Sequence, residues 1–175
     1  MPHTCIQPLF DLIHLNTFQM LEAIEQFDEN KANERVLGGG RSSFKFVLGH
    51  IIWDRCQMTK ILGEPQSFPW VEKFASGQSH ADSSDYPELS ELANAYKELA
   101  VFLERKLESL SEEALMKSTE NAFPEQEKTI RGGISFWVWQ DCYHMGQTGS
   151  ILTTLGLPDI KTLYHTKKER VRASA

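Results

Sequence analysis

Four stretches of the chain repeat apolar residues at alternating intervals of three and four, the spacing that keeps one face of an α-helix turned toward a partner. The first runs from about Pro8 to Phe27 and carries Phe10, Ile13, Thr17, Met20, Ile24 and Phe27 in one stripe. Pro8 suits its first turn, where a missing N–H costs nothing. The second starts near Ser42 or Ser43, either of which can cap exposed N–H groups, and carries Phe44, Val47, Ile51, Met58 and Ile61. Lys60, Gly63 and Pro65 stop it: a cation in the last turn, a residue free to turn left-handed, then a breaker. The third opens at Asp85-Tyr86-Pro87 and continues through Leu89, Leu92, Tyr96, Leu99, Leu103, Leu107 and Leu110. The fourth runs from about Gly133 to Leu155, with Ile134, Trp137, Val138, Met145, Ile151 and Leu152, and ends at Gly156 with Pro158 beyond. No stretch alternates convincingly with the period of two that marks a strand.

Between these stripes the chain is polar or punctuated. Asn30 to Arg41 ends in Gly38-Gly39-Gly40 and reads as a loop, and Ser111 to Met116 allows one short extra turn before the last long helix. The connection from Gly63 to Asp85 is long and contains Phe68, Trp70 and Phe74, so part of it should pack across one end of the fold. Four amphipathic helices of about 20 residues bury their stripes best against one another. The expected fold is therefore all-α, an up-and-down four-helix bundle over residues 1–160. Residues 161–175, with Lys167-Lys168-Glu169-Arg170-Val171-Arg172, read as a basic, flexible tail.

Composition narrows the function classes. The 175 residues are 41% apolar and 24% charged, the balance of one globular domain. A formal net charge of −6 argues against a nucleic-acid binder, which needs a basic surface. No apolar run approaches the roughly 18 residues that span a membrane. The start, Met1-Pro2-His3-Thr4, lacks the basic-then-apolar order of a signal peptide, so the reading places the protein in the cytoplasm. Cys5, Cys56 and Cys142 are odd in number and fit neither a disulfide framework nor a zinc motif; they read as reduced thiols.

Chemistry is to be sought where the stripes break. On the second helix His50 and Asp54 are four apart and share a face. On the fourth, Asp141 and His144 lie on the line Trp137, Asp141, His144, Thr148, Ile151, with Gln140 and Gln147 beside them. Polar groups on buried faces need partners. Three arrangements supply them: a metal held by imidazoles from two helices plus an oxygen donor, a hydrogen-bond network in which Asp54 or Asp141 holds an imidazole, or exposure at the edge of the fold.

The run Leu48-Gly49-His50-Ile51-Ile52-Trp53, the opening Tyr86-Pro87-Glu88-Leu89, and Tyr143-His144-Met145-Gly146-Gln147 followed by Ile151-Leu152 resemble the DinB-like superfamily, in order and spacing, from about Phe10 to Pro158. The resemblance implies a four-helix bundle, often a homodimer, that holds a divalent metal (zinc, nickel, iron or manganese) through three histidines. His50 matches the ligand on the second helix and His144 the final ligand; the remaining ligand position is occupied by Gln140, which can offer a neutral oxygen. Asp54 and Asp141 are then candidates for orienting imidazoles or moving a proton. The implied function is a metal-dependent enzyme acting on a small molecule, a thiol S-transferase with a low-molecular-weight thiol as co-substrate or a metal-assisted hydrolase. The alternative, favoured by Gln140, is a metal-free bundle that binds a small molecule or a second copy of itself.

Overall fold

The stripes become helices in a computed structural model, which describes residues 2, 4–36, 42–78, 85–119 and 127–173, by backbone alone from 167 onward. Its described residues form seven α-helices and no strand: α1 (Gln7–Ile24), α2 (Glu29–Asn33), α3 (Phe44–Ile61), α4 (Leu89–Glu108), α5 (Glu112–Leu115), α6 (Ile130–Thr154) and α7 (Ile160–Ala173). Gly38-Gly39-Gly40, His3 and His80 lie outside the described residues.

Local chemistry sets the helix ends. Ser43 caps α3 by accepting from the Phe46 N–H at 3.2 Å, and Ser111 caps α5 from the Ala114 N–H. Gly63, at φ 78°, turns the chain out of α3 in the left-handed region. Two boundaries differ from expectation. The third helix begins at Leu89 rather than Asp85, because Pro87 biases Tyr86 away from helical geometry. The fourth begins three residues earlier, at Ile130, because the Thr129 hydroxyl accepts from the Gly132 N–H.

Each of the four long helices packs against two others, α1 on α4 and α6, α3 on α4 and α6, so the contacts close into a ring. The ring buries two apolar clusters. One gathers Met20, Ile51, Ile52, Leu92, Leu99, Met145 and Ile151; the other gathers Phe10, Ile13, Met58, Leu103, Leu107, Ile134 and Val138. Along α1, α3 and α6 the residues between the two clusters are polar and buried: Asn16, then Asp54 and Arg55, then Asp141 and His144. The candidate chemistry occupies this layer.

Two polar segments fold for reasons their composition hides. Within the expected loop after α1, helix α2 is anchored through Glu29, whose carboxylate accepts from the Leu89 N–H at 2.8 Å, from the Asn33 amide at 3.0 Å and from the buried Lys45 ammonium. Burial opposes the charge on Glu29, yet these bonds hold it below its ordinary value. Glu29→Gln should therefore cost about 1–3 kcal/mol at neutral pH by leaving Lys45 buried without a counter-charge. Because the folded value is depressed, wild type keeps this stability above the unfolded value and loses it as pH falls through the carboxylate range. Urea melts of both proteins at neutral and acid pH check this: the gap between them should narrow in acid. The second segment is the residues read as a tail, which are helical over Ile160–Ala173. Leu163 is buried, and Tyr164 meets Phe18 of α1 edge-on at 5.9 Å. Among the described residues no helix is long and apolar enough to cross a membrane.

Candidate metal centre

His50 and Asp54 project from adjacent turns of α3, and His144 faces them from α6. The imidazole rings of His50 and His144 meet edge-on with centroids 4.7 Å apart. One ligand atom from each of His50, Asp54 and His144 lies within 4.8 Å of the others. His144 Nε2 is 3.4 Å from Asp54 Oδ2. Two donors bonded to one ion at ~2.0–2.2 Å stand roughly 3–3.5 Å apart, so this pair already has the separation a shared cation requires.

The second nitrogen of each ring is committed elsewhere. His50 Nδ1 lies 2.6 Å from the carbonyl of Phe74, and His144 Nδ1 lies 2.8 Å from Gln147 Oε1. Each oxygen accepts, so Nδ1 carries a hydrogen, and in the neutral imidazole Nε2 keeps its lone pair. That is how proteins fix the tautomer of a ligating histidine. Among the described residues neither carboxylate oxygen of Asp54 nor Nε2 of His144 has a hydrogen bond of ordinary geometry; they face each other, close enough to form an ion pair when the imidazole is protonated. Acceptors from two helices, aimed at one another, fit a bound cation, and the cluster can hold a divalent metal.

Electrostatics agree with the geometry. Burial pushes the Asp54 carboxyl above its ordinary value, only partly offset by His144 and His50. Burial also disfavours a charged His144, but Asp54 and Gln147 outweigh it and raise that imidazole. A divalent cation resolves both tensions at once, by favouring the ionised carboxylate and the neutral imidazole.

The aspartates divide sharply. Asp54 joins the histidines; Asp141 does not. It accepts from Arg55 Nη2 at 2.7 Å and Nε at 3.2 Å, in a pair with side chains 0% and 2% exposed. The Arg55 guanidinium also sits 4.3 Å from the Tyr96 ring centroid. Burial opposes its charge, but Asp141 overrides this and raises its pKa. The helical stripe alone does not single out Arg55, although its place three after Ile52 and three before Met58 puts a cation on the buried face. Gln140 is half-buried one turn before His144. Cys142 is exposed while His144 is buried, so the two do not pair. Cys56 is buried, which pushes its thiol up to about 12 and leaves it inert at neutral pH.

A pocket of about 240 Å³ opens onto His50 and His144. Phe46 and Val47 form an apolar wall, Gln147 borders His144, and Ala75 to Gln78 of the long connection line the side reached from Phe74. Part of that connection is packed against the helices: Phe74 is fully buried, and Phe68 stacks on Trp70 at 5.2 Å.

With this geometry in hand, a family model described as the DinB superfamily matches residues 14–148 of the chain. That span runs from α1 through His144 and includes each residue of the cluster. No curated protein matches.

Proposed function

The chain belongs to the DinB superfamily, and from that premise we propose that it is a metal-dependent enzyme acting on a small molecule, a thiol S-transferase or a hydrolase, built on an up-and-down four-helix bundle. One observation carries the reading: ligand atoms of the buried Asp54 and His144, which no hydrogen bond of ordinary geometry satisfies among the described residues, gather with one of His50 beneath a pocket that His50 and His144 line. In it, His50 and His144 bind the ion through Nε2. Asp54 supplies the anionic oxygen, and Gln140 stands one turn away as a neutral donor. A divalent ion held there supplies Lewis acidity, the chemistry that thiol transfer and hydrolysis at neutral pH both need. Gln147 and the Phe74 carbonyl hold the imidazoles in orientation, Phe46 and Val47 exclude water from one wall, and Asp141 fixes Arg55 between the ligand-bearing helices. The reading includes a low-molecular-weight thiol as co-substrate. It also includes a homodimer, for which exposed Trp139, stacked on exposed Tyr143 at 6.2 Å, offers apolar surface on α6.

Elemental mass spectrometry of untagged protein purified without chelators tests this reading. We expect near-stoichiometric divalent metal in wild type and its loss in His144→Ala. Wild type that stays metal-free after soaking in zinc, nickel, iron(II) and manganese(II) would reject it. The second reading, a non-catalytic bundle, would then stand, and Gln140 at a position where the resemblance places a histidine is the observation in its favour.

A further inference from the structure

One part of the site is built from backbone. The nitrogen that His50 turns toward the cluster is set by the carbonyl of Phe74, 24 positions away in sequence, in the short 3-10 turn Val71–Phe74. A carbonyl oxygen can only accept, so the proton must sit on Nδ1. A free neutral imidazole prefers its proton on Nε2, the nitrogen that has to be bare to ligate here. Without this contact the default tautomer is the wrong one.

The turn reaches His50 only because position 49 has no side chain. A Cβ placed on Gly49 would stand 2.3 Å from Phe74 Cδ1, 2.4 Å from Cε1 and 2.6 Å from Cγ, closer than any real contact. The ring has no easy retreat: Tyr86 packs on it at 4.7 Å, Trp70 at 5.8 Å and Phe46 at 5.9 Å, and its exposure is 0%. Glycine inside a helix is destabilising relative to alanine. Gly49 sits within α3 and is not among the glycines at positive φ, so backbone geometry does not demand it. The close approach of Phe74 does.

We propose that the Phe74 turn is the positioning element for His50, and that Gly49 is the seat that lets it act. The functional half of this rests on the reading of His50 as a metal ligand. The same turn continues into Ala75 to Gln78, which line the pocket, so one segment both orients a ligand and walls the substrate space.

The test is the protonation site of His50, read by nitrogen-15 NMR on metal-free full-length protein at a pH above the imidazole range, followed by zinc affinity in a competition assay. We expect wild type to carry the proton on Nδ1. In Gly49→Ala we expect helix content by circular dichroism to be kept, the proton to move to Nε2 in a large share of molecules, and zinc affinity to fall by about 10–100-fold. A substitution that acted only through helix propensity would stabilise the fold and leave both readouts unchanged, and that outcome would overturn the proposal. So would a wild-type His50 protonated on Nε2, a result that decides the matter even if the variant fails to fold. The tautomer is read before any ion is added. Absent zinc affinity in wild type therefore counts against the metal reading, while a wrong tautomer counts against the positioning role.

Discussion

Asp141→Ala will destabilise the protein by about 3–5 kcal/mol, the cost of leaving one partner of a buried ion pair alone. Arg55 is 0% exposed and keeps its charge under all ordinary conditions. Without Asp141 the partner its guanidinium keeps among the described residues is the face of Tyr96, which offers about 2 kcal/mol when desolvated and no hydrogen-bond acceptor. Replacing both partners by apolar residues, Arg55→Met with Asp141→Leu, should cost far less, because no charge is left stranded. Urea unfolding of the single and double variants separates these outcomes. A single-variant loss below about 1 kcal/mol would mean that water reaches Arg55 and that the pair does not govern this layer. The pair also has a place in the site. It bridges α3 one residue after Asp54 and α6 three residues before His144, so it sets the register of the ligand-bearing helices at the height of the cluster. A double variant that is stable yet binds zinc about tenfold more weakly would show that the pair serves geometry rather than stability.

How much of this was legible in the sequence depends on whether the cause was local. The four long stripes became α1, α3, α4 and α6 because a three-four repeat has one good solution, and the short turn after Leu110 became α5 because Ser111 caps it. His50, Asp54, Asp141 and His144 stood out because each is polar on an apolar face; Asp54, Asp141 and His144 sit in the buried layer between the two clusters, and His50 is half-buried one turn before Asp54. The partners of Asp54 and Asp141 were not legible. Both aspartates neighbour a histidine along the helix, but only contact across helices sends Asp54 to His144 and Asp141 to Arg55. The hydrogen bond from His50 to the Phe74 carbonyl leaves no side-chain signature, since any residue at 74 has a carbonyl; the faint clue is a glycine inside a helix. Helix α2 was hidden because, beside the local cap from Asp28, its anchors Lys45 and Leu89 are distant in sequence. Helix α7 was hidden because only a few apolar residues, Ile160, Leu163 and Tyr164 among them, interrupt a charged run.

Asp54→Asn will raise the stability of the metal-free protein and abolish its stabilisation by metal. Asp54 is 1% exposed, and among the described residues its oxygens have no hydrogen bond of ordinary geometry, only the longer contact with His144 at 3.4 Å. Burial holds its folded pKa above the unfolded one. As pH rises through the carboxylate range the unfolded chain gives up its proton first, so native stability falls until the raised folded value is passed and stays reduced above it. Asparagine has no such term. His144 complicates the comparison, because its raised imidazole draws support from Asp54; that support is present below the unfolded imidazole value and lost as pH rises through the folded one. Measured above that range, metal-free Asp54→Asn should be more stable than wild type by about 0.5–2 kcal/mol, the size of gain seen when a functional site is relieved of strain. Adding zinc reverses the order. An ion at a hundred times its dissociation constant stabilises wild type by about 2.7 kcal/mol, and a variant whose affinity has dropped about a hundredfold or more gains little. The crossing of the two stabilities is the diagnostic. A carboxylate kept for packing would make the variant weaker with and without zinc. A carboxylate kept for the ion makes the native fold worse until the ion arrives, whereas one kept as the partner of a protonated His144 would leave the variant weaker at the pH where that imidazole is charged and unaffected by zinc.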